Sequence, residues 1–144
     1  MACGTSYYAS LVGKHIIQSV AQIPVRVEIA SEFNYSDTVL GKTWFIVITQ
    51  SGETADSIRA LRKAKECGCR TLAITNVVGS SATRIADETL YINAGPEICV
   101  AATKSFIAQL ISLYQLIISH PFLKREIRDE LVPELRLLPA AVQR

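Results

Sequence analysis

Two short, nearly unbroken apolar runs, Trp44-Phe-Ile-Val-Ile-Thr49 and Thr71-Leu-Ala-Ile-Thr75, flank a stretch with the period of a helix. A strand that shows one face to water alternates apolar and polar residues, so runs without alternation predict parallel strands covered on both faces. In the stretch between them, 54 to 67, Ile58, Leu61 and Ala64 fall on one arc of a helical wheel. Asp56, Arg59, Lys63 and Glu66 fall on the opposite arc, and Gly68 is placed to stop the helix. Strand, one-faced helix and strand make a βαβ unit with an expected right-handed crossover, and this fixes an α/β layered sheet as the fold class.

The other elements attach to that unit. Val25 to Glu28 and Leu90 to Ile92 are weaker strand candidates. Ser6 to Ala21 reads as a helix with Tyr8, Leu11, Val12, His15 and Ile16 along one, apolar side. Thr103 to Ser119 carries apolar residues almost all round, so it must be covered on every flank, which points to a homodimer through the helix 103–119. After Pro121 the charge density rises, and residues 123–144 read as a helical linker or arm following a domain at 1–122. A helix opening at Gly4-Thr5-Ser6 wants a strand before it, but only Met1-Ala2-Cys3 stand there, so the first strand is expected to be truncated.

Composition then excludes several classes. With 49% hydrophobic and 19% charged residues the chain is not disordered, and no apolar run reaches the ~20 residues of a membrane span. The net charge is +2 with basic residues scattered, so neither nucleic acid nor membrane is an expected partner. Cys3, Cys67, Cys69 and Cys99 lack the spacing of a zinc or dithiol site, no metal or cofactor motif occurs, and no secretion signal opens the chain. A cytoplasmic location is expected.

Chemistry concentrates at Thr49-Gln-Ser-Gly-Glu-Thr54, where strand gives way to helix. In open parallel sheets ligands bind beyond the carboxyl ends of the strands, where the following helix presents unpaired N–H groups. Hydroxyls from Thr49, Ser51 and Thr54 and the amide of Gln50 suit a phosphate monoester, while the same residues also suit a plain helix cap. Two further hydroxyl-rich turns, at Gly4-Thr5-Ser6 and at Asn76 to Thr83, are expected at the same rim and favour a site. No G-x-G-x-x-G, G-x-x-x-x-G-K-[ST] or G-x-S-x-G occurs. Glu53 and Glu97 are loop carboxylates where a proton shuttle could work, although each reads first as a cap or surface group; Lys104 is a candidate partner for a phosphate or a carbonyl but reads first as a solvated end residue, and His15 reads as a packed side chain.

Five stretches in order, Ala-Cys-Gly-Thr-Ser-Tyr at 2–7, Glu-Ile-Ala-Ser-Glu-Phe at 28–33, Gln-Ser-Gly-Glu-Thr-Ala-Asp at 50–56, Ile-Thr-Asn-Val-Val-Gly-Ser-Ser at 74–81 and Asn-Ala-Gly-Pro-Glu-Ile at 93–98 with Val-Ala-Ala-Thr-Lys-Ser-Phe at 100–106, resemble the sugar isomerase (SIS) domain family. Within it they resemble the first of the paired SIS domains of the glutamine:fructose-6-phosphate aminotransferase family. The resemblance implies a flavodoxin-like three-layer α/β/α sandwich around a parallel sheet. It implies that Ser6, Gln50, Ser51 and Thr54 surround the phosphate of fructose 6-phosphate, with Thr49 standing where serine is common. Val100 would lie beside the sugar, and Ala102 replaces a usual serine. It further implies an enzyme made of a glutaminase domain and a second SIS domain that supplies the imine-forming lysine and acid/base groups, this chain alone being inactive. The alternatives left open are a free-standing phosphosugar-binding module and a small phosphosugar isomerase with Glu97 or a histidine as base.

Overall fold

The computed structural model describes residues 1–36, 41–98, 101–121 and 123–142. Three parallel strands, β1 (Trp44–Thr49), β2 (Arg70–Thr75) and β3 (Glu88–Tyr91), form a sheet in that order, with Trp44 opposite Arg70 and Thr75 opposite Tyr91. The βαβ unit stands where the apolar runs put it. Its helix α3 (Ala55–Glu66) ends at Gly68 with φ +77, where the Cys69 N–H reaches Ala64 O at 3.0 Å and the Gly68 N–H reaches Lys65 O at 2.9 Å. That paired closure requires a left-handed residue, which glycine adopts without a Cβ clash.

Alternate side chains of the strands build two cores. Phe45, Val47 and Ala73 pack with Ala60, Leu61 and Ala64 of α3 and with Phe33 of the short α2 (Ala30–Phe33). Ile48, Leu72 and Ile74 face the other way, toward Leu113 of α5 (Lys104–Ser119) and Tyr7 of α1 (Gly4–Ile16). The result is helix, sheet and helix in three layers. The remaining helical elements among the described residues are a π-helical segment Ile17–Ala21 that continues α1, α4 (Ser81–Ile85), behind the loop that follows β2, and α6 (Arg125–Val142), whose approach brings Leu123 and Ile127 against Ile16 and Ile117.

The expected strand at Val25 to Glu28 does not form; only Ile29 makes a bridge, to Ala2, and Ala2 also bridges Ile48. Residues 1–3 thus lie between the segment ending at Ile29 and β1, with the Met1 nitrogen on Ile46 O at 2.8 Å and the Ile48 N–H on Met1 O at 2.9 Å. A three-residue stub offers one rung to each neighbour, too little to order residues 25–28 as a ladder. Residues 1–3 are thus a short extended stub between Ile29 and β1 and not an outer edge.

Helix α1 corrects the sequence reading. Tyr8, Leu11 and Val12 are exposed, at 63%, 39% and 40%, and His15 is exposed as well. Ser6, Ala9, Ser10 and Gly13 are buried instead, together with Ile16. The reason is close approach: a Cβ on Gly13 would lie 2.8 Å from Leu113 Cδ1, so α1 sits on α5 through small residues and turns its large ones outward. α1, the sheet and the α6 approach cover most of α5, leaving Ile107 as its one large apolar side chain above a third exposed among the described residues, at 49%.

Candidate functional site

Beyond the carboxyl end of β1 lies a cleft of about 180 Å³, between the first turn of α1 and the start of α3. Ser6 and Thr5 line it from α1; Thr49, Gln50, Ser51 and Thr54 line it from the β1–α3 turn; and Ala102 closes it from the segment before α5. Of the residues expected at the site from sequence, Val100 alone falls outside the described residues. The structure brings the other six together.

The turn has a defined internal scaffold. Thr49 Oγ1 accepts the Gly52 N–H at 3.3 Å and lies 3.4 Å from Thr54 Oγ1, while Ser51 Oγ accepts the Glu53 N–H at 3.1 Å. Thr54 is the N-cap of α3 by position, yet its side chain makes no bond to the first N–H groups of the helix. The plain-cap reading therefore fails for Thr54, and the helix start is left facing the cleft with its positive end.

Ser57, in the first turn of α3, is a lining residue that sequence reasoning missed. It is 1% exposed, and its Oγ is buried without a hydrogen-bond partner. A buried hydroxyl normally finds a partner, so an unpartnered one at the wall of a polar cleft marks room for a ligand atom. The available signal was its position on the inner arc of α3 with Ala60, Leu61 and Ala64, where a serine has no packing advantage over alanine.

The third hydroxyl-rich turn, 76–83, does not line this cleft. It braces the second turn from behind. Gln50 O accepts the Asn76 N–H at 3.1 Å and the Thr75 hydroxyl at 3.3 Å, and Gly52 O accepts the Ala82 N–H at 3.0 Å. The Glu53 carboxylate accepts the Ser81 N–H at 2.7 Å, and hydrogen bonding to Ser81 holds its pKa below the usual carboxylate value. Glu53 therefore fastens one loop to another and is badly placed as a proton shuttle.

Glu97 has a similar fate. Its carboxylate accepts the Ser105 hydroxyl at 2.6 Å and N–H at 3.1 Å, and the Thr103 hydroxyl at 2.9 Å and N–H at 3.2 Å. These bonds, those of Ser105 first, lower its pKa from 4.5 to about 2. A carboxylate so engaged clamps the start of α5 and cannot serve as the base of an isomerase. Because the folded value lies below the unfolded one, the clamp's stabilisation is complete above pH 4.5 and is lost as pH falls toward about 2. Glu97→Gln is accordingly expected to flatten the fall in stability across that interval, measured by urea unfolding at stepped pH; an unchanged slope would show the clamp to be weak.

Lys104 is exposed and outside the lining, as is His15. Among the described residues, none lining the cleft is ionisable apart from the Cys3 thiol. Neutral donors at a helix start suit an anion, and they supply no acid or base for ring opening. A second depression, of about 510 Å³, lies beside Asn76, Val78, Asn93 and Gly95. There Asn76 already donates to Gly95 O at 2.7 Å and accepts from the Ala94 N–H at 2.9 Å, so its amide is occupied on both sides. Among the described residues no cluster of His, Cys, Asp and Glu can hold a metal ion, and no helix is long and apolar enough to cross a membrane.

Comparison with known proteins identifies the family. The sequence model of the SIS domain family matches residues 1–119. The chain is 51% identical over 148 residues to a glutamine--fructose-6-phosphate aminotransferase [isomerizing] of Caldanaerobacter subterraneus subsp. tengcongensis, covering 99% of this chain and 24% of that protein. It is 57% identical over 117 residues to the protein of the same name from Clostridium acetobutylicum, covering 81% and 19%. Among solved structures, the C-terminal domain of glucosamine-fructose-6-phosphate aminotransferase from Francisella tularensis superposes with a TM-score of 0.94 at 38% identity, over 99% of this chain and 42% of that one. The chain thus spans about a quarter or less of the curated relatives it matches.

Proposed function

The chain belongs to the SIS domain family, and from that premise we propose that it is a phosphosugar-binding half-site, the first SIS domain of a glutamine:fructose-6-phosphate aminotransferase. One observation carries the reading: Ser6, Gln50, Ser51 and Thr54 converge on a single cleft at the start of α3, where Ser57 adds a buried hydroxyl without a partner. A phosphate monoester provides acceptors enough for such a set of donors, and the helix dipole favours its charge. Ala102 presents a methyl at the sugar side, so one hydroxyl contact common in the family is absent.

In the whole enzyme of this proposal, fructose 6-phosphate and glutamine give glucosamine 6-phosphate and glutamate. The glutaminase domain would supply ammonia, and the second SIS domain would supply the lysine and proton-transfer groups that this cleft lacks. Residues 1–122 form the SIS unit and 123–144 the helical linker that leads onward, in a cytoplasmic protein. The free flank of the helix 103–119 at Ile107 is where a homodimer would form.

The test is calorimetry on the chain. Fructose 6-phosphate is expected to bind and fructose to bind undetectably, with no turnover to glucosamine 6-phosphate in the presence of ammonia. A hydrogen bond to a charged group contributes about 1.5 to 3 kcal/mol, so Ser51→Ala should weaken binding about tenfold or more. Equal affinity of wild type and Ser51→Ala would overturn the site, and product formation that scales with protein would overturn the half-site reading.

A further inference from the structure

Gln109, in the second turn of α5, is 1% exposed, and its Nε2 donates to Ser6 Oγ at 2.9 Å. A long polar side chain is costly to bury, and this one makes a single hydrogen bond among the described residues, its Oε1 being buried without a partner. The amide presents its nitrogen, a donor, to the Ser6 hydroxyl oxygen.

A serine hydroxyl has one proton and can both donate and accept. When Gln109 occupies an acceptor lone pair of Ser6 Oγ, the hydroxyl proton is free to point elsewhere, and Ser6 lines the cleft. We infer that Gln109 is a positioning residue that turns Ser6 into an oriented donor toward the phosphate, an inference that rests on the phosphosugar reading above. The α1–α5 packing holds the pair in register, since Gly13 one face-repeat along α1 meets Leu113 one turn along α5. The signal at the level of sequence was a glutamine at helical spacing from Ser105, Ser112 and Leu113, the residues that share its buried face of α5.

The experiment compares fructose 6-phosphate affinity in wild type, Gln109→Met, Ser6→Ala and the double variant. Methionine keeps the length and removes the donor, and a thermal midpoint no lower than wild type shows that packing survives. Gln109→Met is expected to weaken binding about two- to tenfold, the range of one hydrogen bond, and to cost nothing further in the Ser6→Ala background. Wild-type affinity in Gln109→Met, or the same loss with and without Ser6, overturns the positioning role. A second readout uses the side-chain amide resonances of Gln109, expected to shift on Ser6→Ala. Resonances indifferent to Ser6→Ala in protein that binds the sugar phosphate overturn this inference alone, whereas a wild type that binds no fructose 6-phosphate overturns the functional reading and with it the task given to the Ser6 proton.

Discussion

Gly52→Ala is expected to remove sugar-phosphate binding and to destabilise the chain by several kcal/mol. Gly52 has φ +71, a left-handed conformation that costs a residue with a Cβ about 1 to 2 kcal/mol. Space adds a second penalty. A Cβ here would overlap Ser80 Oγ and stand 2.5 Å from Ser80 Cβ and 3.1 Å from Thr75 Oγ1. Overpacking at a tight site costs about 1 to 3 kcal/mol, so the sum is roughly 2 to 5 kcal/mol against a total stability of about 5 to 15 kcal/mol. Relief of the clash requires the turn 49–54 to lift from the 76–83 loop, and this breaks the bond from the Ala82 N–H to Gly52 O that sets the height of Ser51. Urea unfolding and calorimetry check both parts. Adding Ser80→Gly to Gly52→Ala should return the steric share and leave the conformational one, whereas a Gly52→Ala protein with wild-type stability and affinity would remove the loop-bracing account altogether.

The central βαβ unit was legible because each signal in it was local. Unbroken apolar runs mark strands buried on both faces, and β1 spans Trp44 to Thr49, the run itself. Gly68 closes α3 as expected, since a helix ending in a left-handed residue is written in one position. The turn at 49–54 was legible as a candidate site for the same reason, lying where strand becomes helix.

What the sequence hid depends on distance. The face that α1 buries was misread because a hydropathy pattern rewards large apolar residues, whereas the helix meets α5 through Ser6, Ala9, Ser10 and Gly13. Small residues set how closely two backbones approach, and that demand comes from the partner helix. Glu53 and Glu97 likewise look like acid/base candidates in one dimension. Their acceptors are filled by Ser81 in one case and by Thr103 and Ser105 in the other, contacts that span a different loop or a sharp turn. The resemblance to the family could place Ser6 at the site, but no motif could show that Gln109, more than a hundred residues along the chain, is bonded to it.

Leu113 and Ile107 lie on one apolar helix and should answer an aspartate in opposite ways. Leu113 is 3% exposed and fills the space that the absent side chain of Gly13 leaves. An aspartate there has no basic side chain among its core neighbours, Ala2, Ile48, Leu72, Ile74 and Ile92. Leaving a buried charge unpaired costs about 3 to 5 kcal/mol, so Leu113→Asp is expected to unfold most of the protein or to leave it marginal. Leu116 is half-buried against the same cluster, more outward-facing than Leu113 but still packed on the core. Ile107, at 49% exposure, can carry a charge into water, and Ile107→Asp should change folding stability by no more than about 0.5 kcal/mol. If the helix 103–119 forms the homodimer interface of the proposal, that same charge is stranded in the interface and the dimer dissociates. Circular dichroism separates the two variants by folding, and sedimentation at high micromolar concentration separates them by assembly. A wild type that sediments as a monomer removes the homodimer and leaves the exposed stripe of Tyr8, Leu11 and Val12 on α1 as the larger apolar surface for another domain to cover.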